Sequence, residues 1–203
     1  MMLIGALICY RKRNSLCSLK EGGSRFTLMD KKGEQLHMPV ANVKGLSETT
    51  HAKLKEAIVQ LESFLNEYAV PQLANGDTSE GAALFYKGLL ADLRHLLVYS
   101  ETVYEKIGIV LRRPNFDTEA AERSLYEAYH QAVAAFFYPK NECYSEDGRY
   151  AYTGQDAIRF RFVPTRPARE IVLSVSKVYE ELRDELAYYE NDYMTQRRMQ
   201  GQK

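Results

Sequence analysis

Four stretches of this chain repeat apolar residues at alternating spacings of three and four, and that repeat limits the fold more than any other feature. In the first, Leu54, Ile58, Leu61, Leu65 and Tyr68 follow one another. In the second the seam is Tyr86, Leu90, Leu93, Leu97, Ser100, Tyr104, Ile107 and Leu111. The third carries Leu125, Tyr129, Ala132 and Phe136, and the fourth Ala168, Val172, Val175, Tyr179, Leu182, Leu186, Tyr189 and Tyr193. Such spacing puts each set on one stripe of an α-helix. A lone helix cannot bury its stripe, so four stripes of similar pitch predict an all-α fold. The expected form is an up-and-down bundle of four main long helices, with the acidic groups and histidines outside.

Punctuation sets the expected limits. Ser47 followed by Glu48 predicts the start of the first helix, and Pro71 its stop, with Asn75-Gly76-Asp77 as a turn. Thr78 or Ser79 opens the second helix, which runs to Arg113 before Pro114 and would be about 50 Å long. Gly88 and Gly108 interrupt it, each at a cost of about 1 kcal/mol, and each marks a close contact or a kink. Asp117 or Thr118 caps the third helix, which ends near Tyr138-Pro139. Arg166-Pro167 begins the fourth, since proline is accepted in a first turn.

Between the third and fourth helices the period changes to two. Tyr150 and Tyr152, then Ile158, Phe160 and Phe162, alternate around Thr153-Gly154-Gln155-Asp156, predicting a small β-hairpin over about residues 148–163 after a loop at Asn141–Gly148. An isolated hairpin is marginal in water, so its aromatic face should pack on the bundle.

Residues 1–45 are expected to form an irregular extension, residues 46–197 the bundle and residues 198–203 a tail. Met1–Tyr10 is apolar but about half the length of a membrane span, and Arg11-Lys12-Arg13 follow it where a secretory signal would place its charges first. Residues 1–28 carry five basic residues against Glu21, a net of +4, and the formal net charge of zero leaves the remainder at −4. Two origins fit this segment. It is a basic tail, or it is read from a start upstream of the true one. Lys20-Glu21-Gly22-Gly23 is what a purine-rich ribosome-binding site encodes in frame, with Met29 shortly after.

Three cysteines in 203 residues, Cys9, Cys17 and Cys143, make no disulfide framework and no paired metal motif, which points to a reducing compartment. No phosphate-binding loop, dinucleotide fingerprint, nucleophile elbow or zinc-protease motif is present in the sequence. The mildly acidic body disfavours general nucleic-acid binding.

Two constellations remain. Asp92 with His95, and Glu127 with His130, repeat a carboxylate and a histidine three apart on successive helices, as di-iron bundles do. The helical angle sets His95 about 200° from Leu93 and Glu127 about 200° from Leu125, so neither pair faces the axis. No metal and no cofactor are therefore expected. Asp92, His95 and Tyr99, with Glu127 and His130, are kept as a candidate polar patch. The other constellation is basic. Arg149, Arg159, Arg161, Arg166 and Arg169 surround the second strand, and Arg159 and Arg161 would project together if Phe160 and Phe162 face inward. They are candidates for binding an anion or a nucleic-acid strand, against the alternative of pairing with Glu142, Glu146, Asp147, Asp156 or the acidic fourth helix.

The strings Leu93-Arg94-His95-Leu96-Leu97-Val98-Tyr99-Ser100-Glu101, Phe136-Phe137-Tyr138-Pro139-Lys140-Asn141-Glu142 and Ala151-Tyr152-Thr153-Gly154-Gln155-Asp156-Ala157-Ile158 resemble the YpuI-like family of uncharacterised proteins from Bacillus-type bacteria. The likeness spans about residues 48–196. It implies a bacterial cytosolic protein and assigns no chemistry. The sequence reading leans away from an enzyme. It favours an interaction or scaffolding module that self-associates, in its simplest form as a homodimer, through tyrosine-rich helix faces, without membrane insertion.

Overall fold

The computed structural model describes residues 40–75, 79–148, 157–199 and 201. The elements are α1 (Val40–Glu67), α2 (Val70–Ala74), α3 (Glu80–Leu111), α4 (Thr118–Glu127), a π-helical segment (Ala128–Val133), α5 (Ala134–Phe137), β1 (Tyr144–Glu146), β2 (Ile158–Phe160), α6 (Arg166–Glu185) and α7 (Ala187–Met199). The fold is all-α with one small antiparallel hairpin. Among the described residues no helix is long and apolar enough to cross a membrane.

Cross-helix pairs give the chain directions. Tyr86 accepts a hydrogen bond from the Thr165 N–H at 2.9 Å, and Ser100 Oγ lies 2.7 Å from the Tyr179 hydroxyl, so α3 and α6 run in the same sense. Phe136 stacks on Tyr179 with centroids 4.9 Å apart, whereas His130 meets Tyr189, so the α4–α5 arm runs against α6–α7. Lys53 of α1 bonds Glu181 and Glu185 at 2.8 and 3.0 Å, while Tyr68 lies near Glu170, so α1 also opposes α6. The predicted seams supply much of the core, with Phe85, Leu89, Leu96 and Val103 beside them, while Leu65, Tyr68, Leu97, Tyr104 and Leu111 are half-buried. Leu54, Leu61, Leu90, Leu93, Leu125, Ala132, Phe136, Val172, Val175, Tyr179 and Leu182 are all buried. Each large side chain withdrawn from water contributes roughly 1.5–3 kcal/mol.

Several predicted limits shift. Ser47 is not a cap. α1 begins at Val40, and the buried Ser47 hydroxyl donates to the Val43 carbonyl at 2.8 Å, a bond that lets serine sit inside a helix. α1 stops at Glu67, and Pro71 lies in the first turn of α2, whose end is the left-handed Asn75. Ser79 and Asp117 do cap, accepting from the Ala82 and Ala120 N–H groups. The fourth helix is two helices, broken at Leu186. The break leaves the three–four spacing intact, so periodicity reads through it.

The hairpin is also placed differently. Its first strand is Tyr144–Glu146, which the sequence assigns to a loop. It pairs Tyr144 with Phe160, Ser145 with Arg159 and Glu146 with Ile158. Three residues are too few for alternation to be seen. The predicted strand at Tyr150 and Tyr152 and the turn at Thr153–Asp156 lie outside the described residues. Phe162 meets Phe85 at 5.5 Å, so the aromatic side does pack on the bundle.

Gly88 and Gly108 are close contacts. A β-carbon on Gly88 would lie 2.9 Å from Cys143 Sγ and 3.2 Å from Asn141 Cβ, and one on Gly108 would lie 3.1 Å from His51 Nε2.

Candidate functional site

α4 and α7 come together at one end of the fold and leave a groove between them. Its lining is Arg123, Tyr126 and Glu127 from α4, Tyr193, Met194, Arg197 and Arg198 from α7, and Gly201, around about 820 Å³. Helical spacing explains the lining. Arg123, Tyr126 and Glu127 share one face of α4, and Tyr193 with Arg197 are one turn apart on α7.

The floor is aromatic. The rings of Tyr126 and Tyr193 lie 5.5 Å apart and tilted, and Tyr126 also approaches His130 at 4.3 Å. His130 belongs to the π-helical segment, and its Nε2 lies 3.1 Å from the Tyr189 carbonyl, so that nitrogen donates. Beneath, Tyr189 packs against Tyr188 and Tyr193. Burial first, then the Glu190 carboxylate, pushes the Tyr129 phenol up to about 12, and burial does the same for Tyr188. These phenols are neutral at physiological pH.

The rim is charged. Glu119 accepts from Arg123 at 3.2 Å and from Arg197 at 2.9 Å, and Arg197 also donates to the Tyr193 hydroxyl at 3.0 Å. Glu127 takes the Lys106 ammonium, and Arg198 is exposed. Four cations thus stand with Glu119 and Glu127, and Glu122 and Asp192 act on Tyr188 beneath them. A single glutamate shared by two guanidinium groups leaves several of their N–H donors for something else.

The candidate polar patch divides. Contrary to the expectation that acids stay outside, Asp92 is 5% exposed. Its carboxylate accepts from the Asn141 N–H at 3.2 Å and from the Asn141 side-chain amide at 2.8 Å. The absence of a side chain at Gly88, one turn earlier, lets residues 141–143 come close enough to cover it. His95 and Tyr99 are exposed on α3, while Glu127 and His130 belong to the α4–α7 end. Among the described residues no group of three or more His, Cys, Asp or Glu side chains is placed to hold a metal.

Two of the five candidate arginines meet carboxylates. Arg159 lies 3.7 Å from Asp147, and Arg166 bonds Glu170 at 2.6 Å. Arg161 is exposed, and its backbone N–H extends the hairpin ladder to the Cys143 carbonyl. Arg169 is exposed and has its own interaction, and Arg149 lies outside the described residues. Cys143 is a buried free thiol whose Sγ is 3.5 Å from the Phe85 carbonyl, and burial pushes it up to about 11.

Sequence reasoning missed Arg123, Tyr126, Met194, Arg197 and Arg198. Each reads as an ordinary surface residue, and only the approach of two helix ends far apart in sequence assembles them. The available signal was local: Arg123 with Tyr126, and Tyr193 with Arg197, at helical spacing.

Comparison with known proteins gives a relationship but no role. Residues 47–195 match the family described as "Protein of unknown function (DUF3907)". The chain is 34% identical over 149 residues to the "Uncharacterized protein YpuI" of Bacillus subtilis (strain 168), an overlap covering 73% of this chain and 82% of that protein. No solved structure matches. The matched segment contains α4, the hairpin, α6 and most of α7, and by that match the chain belongs to the DUF3907 family.

Proposed function

We propose that the chain is a non-enzymatic binding module of the bacterial cytosol whose recognition site is the groove between α4 and α7. The observation that carries this reading is the pairing of an aromatic floor, Tyr126 and Tyr193, with an open, arginine-bearing rim. Concave sites with apolar floors and a few placed polar groups are where ligands gather. Several side chains elsewhere that could do chemistry are occupied in holding the fold. Asp92 secures Asn141, and His130 meets the Tyr189 carbonyl. The Cys143 thiol, raised to about 11, stays protonated and unreactive. That buried free thiol and the bacterial relative support the cytosolic assignment.

Tyr189 and Tyr193, on which the expected self-association rests, are buried against their own chain. The reading therefore puts the partner at the groove mouth. Display of a random peptide library on the full chain tests it. Enrichment should occur on the natural protein and be lost with Met194→Glu, which places a charge at a partly exposed position of the groove. Enrichment that ignores Met194→Glu, or none at all, would overturn the assignment.

A further inference from the structure

Resting on that reading, we infer that the groove takes an acidic protein segment carrying one aromatic or long apolar anchor. The juxtaposition that assigns this partner is local. Arg123, Arg197 and Arg198 line the groove against Glu127, an excess of two positive charges among its lining residues. Just outside the lining Lys106 pairs with Glu127, Glu119 stands between Arg123 and Arg197, and Glu122 and Asp192 act on Tyr188. The chain beyond residue 28 is net −4, so the groove runs against the charge of the body around it.

Glu119 is shared between Arg123 and Arg197, and Arg197 uses a further N–H on the Tyr193 hydroxyl. A guanidinium has five N–H donors in a planar fork that matches a carboxylate. An incoming Asp or Glu can thus bond the groove without displacing Glu119. The tilted Tyr126–Tyr193 pair and the Met194 thioether form an apolar seat beside these donors, suited to a ring through edge and sulfur contacts. Arg197, 5.8 Å from the Tyr193 ring, joins the two parts.

The dimensions suit a short extended stretch. Tyr193 to Arg198 spans about 8 Å of helix axis, which matches two or three extended residues at about 3.3 Å each. Nucleic acid is disfavoured by the same geometry. A phosphate chain gains affinity from many neutralised charges along its length, and here carboxylates stand in and beside a lining with an excess of only two.

The experiment is fluorescence anisotropy with the full chain. One labelled octapeptide pool is built from Asp, Glu, Phe and Leu. A second replaces the acids with Asn and Gln, a third replaces Phe and Leu with Ser, and short oligothymidine is a fourth probe. The acidic, apolar pool should bind most tightly. It should weaken about tenfold with Arg198→Glu, an exposed substitution that circular dichroism should show to be folded, and weaken further as salt is raised. Equal binding of the neutral pool overturns the charge assignment, and equal binding of the serine pool overturns the anchor. Tighter binding of oligothymidine that is also lost with Arg198→Glu replaces a protein partner with a nucleic acid. If library peptides of other composition enrich on the groove while the acidic pool does not bind, this inference fails and the binding-module reading stands. If no peptide binds, both fail.

Discussion

The carboxylate of Asp92 accepts both the backbone N–H and the side-chain amide of Asn141, fastening the chain after α5 to the middle of α3. The second half of the same attachment is steric. Gly88 leaves just enough room for Asn141 and Cys143 to lie against the helix.

Gly88→Ala should therefore destabilise the protein even though alanine is the better helix former. The added carbon would stand 2.9 Å from Cys143 Sγ and 3.2 Å from Asn141 Cβ. Overpacking of this kind typically costs about 1–3 kcal/mol, against roughly 1 kcal/mol gained in helix propensity. Urea unfolding followed by circular dichroism should show a lower midpoint; a raised midpoint would mean that the loop yields freely.

Ser100 and Tyr179 should respond asymmetrically. The Ser100 hydroxyl donates to the Leu96 carbonyl at 2.7 Å, which leaves the Tyr179 hydroxyl as donor to Ser100. Tyr179→Phe leaves Ser100 bonded to Leu96 and should cost about 1 kcal/mol. Ser100→Ala strands a fully buried phenol and should cost more, about 1–3 kcal/mol. Equal costs in denaturant titrations would contradict the assigned direction of the bond.

Arg183 carries two contacts at once, a 2.7 Å bond to Glu146 and a guanidinium 4.1 Å from the centre of the Phe137 ring. Both partners of the ion pair are about four-fifths buried. Arg183→Ala leaves Glu146 on β1 without this counter-charge, and after allowance for the remaining solvent the loss should be about 1–2 kcal/mol. Hydrogen exchange should rise at Tyr144–Glu146 before the rest of the fold is affected. Unchanged exchange there would show that the hairpin holds without the pair.

Alkaline pH should weaken the fold in a defined window. Burial raises the Cys143 thiol from its usual 9.0 to about 11, and the Tyr129 and Tyr188 phenols from 10.0 to about 12. Below pH 9 these groups are protonated in both states and their contribution is complete. As pH rises from about 9 to 12 the unfolded chain loses protons first, so stability falls. Denaturation midpoints should be flat from about pH 7 to 8.5 and decline above it. A midpoint rising through that window would have the wrong sign.

The stripes were legible because burial imposes a period, and period survives in sequence. Leu54, Leu93, Leu125 and Leu182 could be placed on a seam before any coordinates. What escaped reading were features that leave the period intact or too short to detect. The break at Leu186 preserves the spacing from Leu182 to Tyr193. The strand at Tyr144–Glu146 has no room to alternate, and Ser47 satisfies its hydroxyl one turn back instead of capping. Asp92 was expected outside because its pair with His95 does not face the axis of a bare helix, which leaves out the segment at Asn141 that covers it. The groove was least legible of all. Arg123 and Arg197 meet at Glu119 from helices separated by the hairpin and α6.

The π-helical segment Ala128–Val133 makes chain length itself a constraint in the third helix. A wider turn takes in an additional residue, and one residue in a helix is about 100° of rotation. The segment works as an offset between two gears: upstream, Tyr126 is set toward α7, and downstream, Phe136 is set against Tyr179. Deleting one residue within it would restore ordinary winding and leave both teeth on their mates, because the wide turn already holds the surplus residue. The same deletion in the regular stretch on either side would instead turn one tooth away by about 100°.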